Sequence, residues 1–232
     1  MSNLKKEELD YIRKNLNKIY EKTPSGVCSG CANCCSESVE ASFAELYNII
    51  DYIKEKQMTR EIINKILDYY VYEYDYKHKC PFLAEDKKCL IYPVRPLNCR
   101  IYGFWTSKDY EANYNRIKES NINIFEDIKL KYNYTVNKDV FNYKIDYCDE
   151  FKPMDRYLNK NERLKYFDDL IAIDFYLYEK EYIDEFLKLG IVEHFINYLF
   201  KTNKVYELKF KDKNSKIKII KRLKKSNIYE LI

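Results

Sequence analysis

The stretch CSGCANCC, residues 28–35, sets four cysteines in eight positions, and the rest of the chain is read around it. Cys28, Cys31 and Cys34 recur every three residues, and Cys35 adjoins the last. Thiols at that spacing on a tight loop can turn toward one point. The small neighbours Ser29, Gly30 and Ala32 let the backbone wrap closely with N–H groups aimed at the sulfurs. Two chemistries use the pattern: a four-thiolate zinc site and an iron–sulfur cluster, for which C-x2-C-x2-C is a known run. The ferredoxin continuation x3-C-P is missing, although Cys80-Pro81 supplies a Cys-Pro from a distant segment. Cys34 and Cys35 would strain the chain if both bound one small ion. Neighbouring thiolates are therefore expected to serve different centres or to bridge two metals.

Downstream, Cys80, Cys89, Cys99 and Cys148 raise the total to eight. Eight thiolates divide into two sets of four, or into one four-cysteine centre with spare thiols. All eight are candidate metal ligands, against the plainer possibility of unmetallated thiols packed as small hydrophobes. Cys148 stands apart, flanked by Asp146, Asp149 and Glu150. Arg95 and Arg100 bracket Cys99 and are candidate cofactor-binding residues. A cation beside thiolates lowers their pKa and offsets the charge of a thiolate-rich centre. Pro93 and Pro96 stiffen that loop. His78 is read as a neighbour of Cys80, and His194, among Phe195, Ile196 and Leu199, as structural. Tyr102 and Trp105 are read as packing over the site.

Composition narrows the remaining classes. At 232 residues the chain is one large domain or one domain plus an extension. It is long enough to bury roughly 70–75% of its unfolded surface without staples. Four glycines cannot furnish a phosphate-cradling loop or a GxGxxG turn. Two histidines are too few for a His-rich metal hydrolase. No run of about 18 apolar residues predicts a membrane span. The N-terminal MSNLKKEELDYIRKNL is charged and has no apolar core of a signal peptide. The expected location is the cytoplasm, where cysteine clusters bind metal more often than they form disulfides. The 25 tyrosines accompany abundant Lys, Ile and Asn, as AT-rich codons give. A net charge of +4 is too even to make nucleic acid the partner of the whole chain.

Periodicity predicts a mainly α fold with irregular cysteine-rich loops and a small C-terminal β-hairpin. Leu9, Ile12, Leu16 and Ile19 mark a helix over 3–21, broken by Thr23-Pro24-Ser25-Gly26. Ser42 with Glu45 is a capping-box signal for the next helix. Thr59 can cap another, which ends within YYVYEYDY at 69–76, where alternating tyrosines allow a strand equally. Residues 77–106 read as loop, and 108–131 as weak helix. Leu164, Phe167, Ile171, Phe175, Tyr178, Tyr182, Phe186 and Leu189 mark a strong helix over 161–189, with Gly190 at its C-terminus and a kink near 180. Residues 191–200 form a short apolar helix. VYELKFK (205–211) and KIKIIK (216–221) alternate around a turn-like DKNS and read as the hairpin. The expected organisation is a metal-binding domain over 1–200, with its motif core at 25–150, and a basic extension over 201–232. That extension carries 11 Lys+Arg and 3 Asp+Glu, a net of +8.

With CSGCANCC (28–35), CPFL (80–83), CLIYPVRPLNCR (89–100) and Cys148 in that order, the chain resembles the CxxCxxCC or YkgJ-like cysteine-cluster proteins, described as zinc- or iron-chelating domains. The resemblance covers roughly residues 25–150 and implies metal chelation by these cysteines, with an iron–sulfur cluster or zinc as cofactor. A more distant likeness is to the flagellin lysine N-methylases, and it implies iron–sulfur-dependent modification of protein. Three functions follow: a cytoplasmic metal-binding protein, an iron–sulfur enzyme acting on protein, or a zinc-stabilised interaction module with a basic docking hairpin. No residue is identifiable as a general base. Nucleic acid is disfavoured, and the sequence names neither the protein partner nor the oligomeric state.

Overall fold

A computed structural model describes residues 4–200 and 203–231. In chain order the elements are α1 (Lys6–Lys22), β1 (Gly26–Val27), β2 (Glu40–Ala41), α2 (Phe43–Glu55), α3 (Thr59–Tyr72), α4 (Leu97–Ile101), α5 (Ser107–Tyr132), α6 (Lys138–Phe141), β3 (Lys152–Pro153), α7 (Lys160–Glu179), β4 (Leu189–Gly190), α8 (Ile191–Phe200) and α9 (Lys213–Lys225). Short 3-10 turns occupy Tyr92–Val94, Tyr102–Phe104, Asn203–Phe210 and Asn227–Leu231. The fold is mainly α.

The core forms around α2, whose apolar residues face inward on nearly every side: Phe43, Leu46, Tyr47, Ile49, Ile50 and Ile53 are buried. Helix α1 lays Ile12, Leu16 and Ile19 against it, at the helical spacing the sequence shows. Helices α3, α7 and α8 pack around the same centre. The α2 start is a complete capping box: Ser42 Oγ accepts from Glu45 N at 3.1 Å, and Glu45 Oε2 accepts from Ser42 N at 3.0 Å. Helix α3 begins at Thr59, but its cap position is Met58 and no side chain bonds there. It runs to Tyr72, so the alternating tyrosines begin inside a helix, not a strand.

Two expectations are corrected. The first is the C-terminal β-hairpin. Residues 203–210 are 3-10 and 213–225 are helix; residues 201, 202 and 232 lie outside the described residues. Asp212 is the reason. Its carboxylate accepts from Asn214 N and Ser215 N at 3.0 and 3.1 Å, so DKNS is a helix cap, not a turn between strands. The buried residues that follow are Lys216 and Ile220, at helical spacing. Reading Lys216 as solvent-facing hides that period and leaves only the short alternation of Ile217 and Ile219.

Lys216 is buried because it meets Asp75, and Lys209 because it meets Glu73, with Glu193 3.7 Å away. Lys224 lies 2.7 Å from Asp68. The basic segment is thus matched to an acidic row on and just beyond α3.

The second correction concerns the helix over 161–189. It ends at Glu179, and Glu181 turns the chain with a φ of 59°. Gly190 belongs to β4, which pairs antiparallel with β2 through Glu40–Gly190 and Ala41–Leu189. The face of α7 turned to the core is Leu170, Ile173 and Leu177, while Leu164, Ile171, Phe175 and Tyr178 face outward.

Candidate metal centre

Four separate segments meet where the cysteines lie. β1 pairs antiparallel with β3, Gly26 opposite Pro153 and Val27 opposite Lys152. That pairing brings the chain just before Cys28 alongside the chain just after Cys148. Phe151 locks a third segment into place. Its ring covers both Gly26 and Gly103, and a Cβ at either position would overlap it. Cys80 N donates to Cys35 O at 3.0 Å and so docks the second cysteine block on the first. Within the second block, Leu83 and Cys89 form an isolated antiparallel bridge. Residues 145–147 are tied down by tyrosines: the Tyr102 hydroxyl donates to Asp146 O at 2.9 Å, the Tyr110 hydroxyl to Ile145 O at 2.5 Å, and the Tyr147 hydroxyl to Trp105 O at 3.1 Å.

Helix α4, which carries Cys99 and Arg100, is aimed by a residue that no cysteine motif contains. Glu45 is 1% exposed. Besides closing the α2 capping box, its Oε1 accepts from Leu97 N at 2.6 Å and from the Tyr20 hydroxyl at 3.1 Å. One buried carboxylate therefore joins the starts of α2 and α4. Burial raises its pKa, against the opposing pull of the Ser42 and Leu97 N–H groups, Tyr20 and Arg100. The capping-box pattern reveals Glu45 in the sequence, but nothing local connects it with Leu97.

All eight cysteines are free thiols; Cys28 and Cys99 are exposed and the others half-buried. Several lie within electrostatic reach of one another. Cys99 interacts with Cys80, Cys89 and Cys34. Cys148 interacts with Cys34, Cys31 and Cys28. Cys34 is common to both groups and is hydrogen-bonded to the Cys35 thiol.

That bond is the largest cause of the upward shift of the Cys34 pKa, with burial second. Burial pushes Cys80 up to about 12, and raises Cys89 and Cys148 above their ordinary value. Cys99 is raised too. Burial of its thiol is the larger cause and the nearby Cys80, Cys89 and Cys34 thiols add to it, although solvent reaches part of the residue. These thiols are held neutral, so a metal must displace their protons to bind.

The two arginines differ in placement. Arg95 interacts with Cys89 and pulls its pKa down, against the stronger effect of burial. It also covers the Tyr92 ring at 3.7 Å. Arg100 is tied to its own loop and to α1. It donates to Arg95 O at 3.0 Å and to Pro93 O, and its guanidinium lies 3.8 Å over the Tyr20 ring. His78 is wedged between Tyr76 at 4.2 Å and Tyr69 at 5.4 Å, and its buried Nε2 has no hydrogen-bond partner. His194 is 1% exposed, and its Nε2 lies 3.0 Å from Ala41 O, far from the cysteines in role. Trp105 stacks under Arg163 at 4.3 Å.

The donor set fits zinc or iron in type and number. It is gathered but not closed: among the described residues, no three Cys, His, Asp or Glu stand together as a ready ion site. Residues 28–37 have one internal backbone bond among the described residues, from Cys35 N to Ala32 O at 3.0 Å. Gly30 and Ala32, with φ of 73° and 63°, give this loop two tight reversals.

Residues 27–149, just over half of the chain, match the family model described as "CxxCxxCC: Putative zinc- or iron-chelating domain". That span contains all eight cysteines. No curated protein matches the chain, and neither does any solved structure. By this match, which spans all of its cysteines, the chain belongs to the CxxCxxCC family of zinc- or iron-chelating domains.

Proposed function

We propose that the protein chelates zinc or iron, the latter as an iron–sulfur cluster, in two four-thiolate centres that share the Cys34–Cys35 pair. One observation carries the reading: Cys34 interacts with both thiol groups and is bonded to Cys35. In this reading Cys80, Cys89 and Cys99 supply three ligands to one centre, and Cys28, Cys31 and Cys148 three to the other. Each centre needs one more thiolate, and the adjacent pair supplies one to each side. Arg95, beside Cys89, offsets part of the negative charge of the first centre. When bound, the metal would hold the four cysteine-bearing segments together, so its binding energy adds to that of folding. The backbone N–H groups and tyrosines that already dock these segments limit how far the loop must move.

The experiment is metal and acid-labile sulfide analysis, with a visible spectrum, on the full chain purified without oxygen. Zinc without colour identifies zinc sites; brown protein with iron and near-equal sulfide identifies clusters. Cys31→Ser and Cys99→Ser, one from each centre, are each expected to lose about half of the metal per chain. Loss of all metal in both variants would mean a single centre. Absence of both zinc and iron from the wild-type protein, or full metal in both variants, would sink the assignment.

A further inference from the structure

The most regular apolar stripe in the sequence faces water. Leu164 is 48% exposed, Ile171 50%, Phe175 50%, Tyr178 44% and Phe186 48%, although α7 is buried along its other side. Ile171, Phe175, Tyr178 and Phe186 form one patch, and the exposed Asp168 stands between it and Leu164. Phe186 folds back from beyond the helix, its ring centroid 5.1 Å from that of Tyr178 and 6.2 Å from that of Phe175. Ile171 lies one turn before Phe175, and Leu164 two turns before Ile171. Together these side chains leave roughly 500 Å² of apolar surface open, in the range where a patch on one chain marks an interaction site.

We propose that this face joins two copies of the chain through an antiparallel, two-fold pairing of their α7 helices. Leu164, Ile171 and Tyr178 recur every seven residues, the spacing of a helix-to-helix seam. Ala172, small and exposed, lies beside this seam, on the rim of α7 midway between two charged residues. Lys165 and Glu179 lie seven residues before and after it, on the same rim of the stripe by helical geometry. An antiparallel pair centred on Ala172 therefore sets Lys165 of each copy against Glu179 of the other, twice. A parallel pair would turn that rim toward the side of α7 already buried in its own chain. Neither residue has an ion-pair partner among the described residues. Two such faces bury at most roughly 1,000 Å², the lower limit for a specific interface and the range of weak, reversible association.

Sedimentation velocity on the full chain, over about 1 to 100 µM, tests this. The wild-type protein is expected to sediment as a dimer. Ile171→Asp, at a half-exposed position, is expected to raise the dimer Kd at least about 30-fold with an unchanged far-UV circular dichroism spectrum. Lys165→Glu is expected to weaken the dimer up to about tenfold, and adding Glu179→Lys to restore it. This charge pair keeps the test open even if Ile171→Asp folds poorly. A wild-type chain that is monomeric at the highest concentration overturns the proposal, including one whose α7 face binds neutral lipid vesicles instead. So does a dimer indifferent to Ile171→Asp, or a charge-reversed pair that fails to restore association.

Discussion

Phe151 shows how single residues assemble the metal centre. Its ring lies on Gly26 and Gly103 and makes an edge-to-face contact with Phe104, with centroids 4.6 Å apart. Three cysteine-bearing segments are thereby pressed together by one side chain. Gly103→Ala would drive a methyl group into that ring, so a loss of about 1–3 kcal/mol is expected. Metal content should fall with it, because Cys99 and Cys148 are held on either side. Gly30→Ala is the steric comparison for stability alone: nothing lies within 4 Å of its added Cβ, and the strain is confined to the positive φ of the cysteine loop. Denaturant titration of both variants and metal analysis of Gly103→Ala check the point; equal stability would remove Phe151 from its proposed role. The cysteines themselves are plain in the sequence. The glycines are not, since neither Gly26 nor Gly103 belongs to a turn motif that announces a bulky neighbour 125 and 48 residues downstream.

Among the elements, local signals were read well where the cause is local. The Ser42–Glu45 capping box forms as the sequence indicates, because both partners lie within one turn. The C-terminal segment was misread because its helix is specified by buried lysines. Burial alone would lower the Lys209 pKa; Glu73, Tyr74 and Glu193 more than reverse that and hold it protonated. The rings of Tyr70 and Tyr74 face the same ammonium at 4.0 and 5.0 Å. Lys209→Met is expected to cost about 3–5 kcal/mol, because Glu73 is left without its counter-charge. Pairing it with Glu73→Gln should recover most of that loss. Urea titration of the single and double variants measures the coupling, and simple additivity would show that the ion pair does not anchor this segment.

On the scale of the whole molecule, the packing of α2, α7 and α8 buries two groups that titrate in opposite senses. Burial lowers the His194 pKa to about 4. Ala41 O can only accept, so His194 Nε2 carries the proton of the neutral ring. Burial raises Asp174 to about 7, although Phe43 N and Ala44 N donate to its two oxygens at 3.0 and 2.9 Å. For His194 the folded pKa lies below the unfolded one. Its contribution is complete above about pH 6.5 and is lost as pH falls toward 4. For Asp174 the folded pKa lies above the unfolded one. Its contribution is complete below about pH 3.8 and is lost as pH rises through 7. The slopes oppose each other between pH 4 and 6.5. The comparison of wild type with His194→Gln isolates one of them. The stability gap should be larger at pH 7 than at pH 4.5 by about 2 kcal/mol. A gap independent of pH, in urea titrations at both values, would place the His194 pKa elsewhere.

The mainly α class, the Ser42–Glu45 cap and the eight cysteines as candidate ligands are legible from the amino-acid order alone, because each rests on residues close together in the chain or on chemistry that only cysteine supplies. Packing supplies the rest: that Glu45 joins α2 to α4, that Phe151 covers Gly26 and Gly103, that Lys216 is buried in the C-terminal helix, and which side of α7 faces outward. Each of those depends on a partner far away in the chain. A one-dimensional period shows that a helix has an apolar stripe, but which of two stripes becomes core is settled by what packs against it.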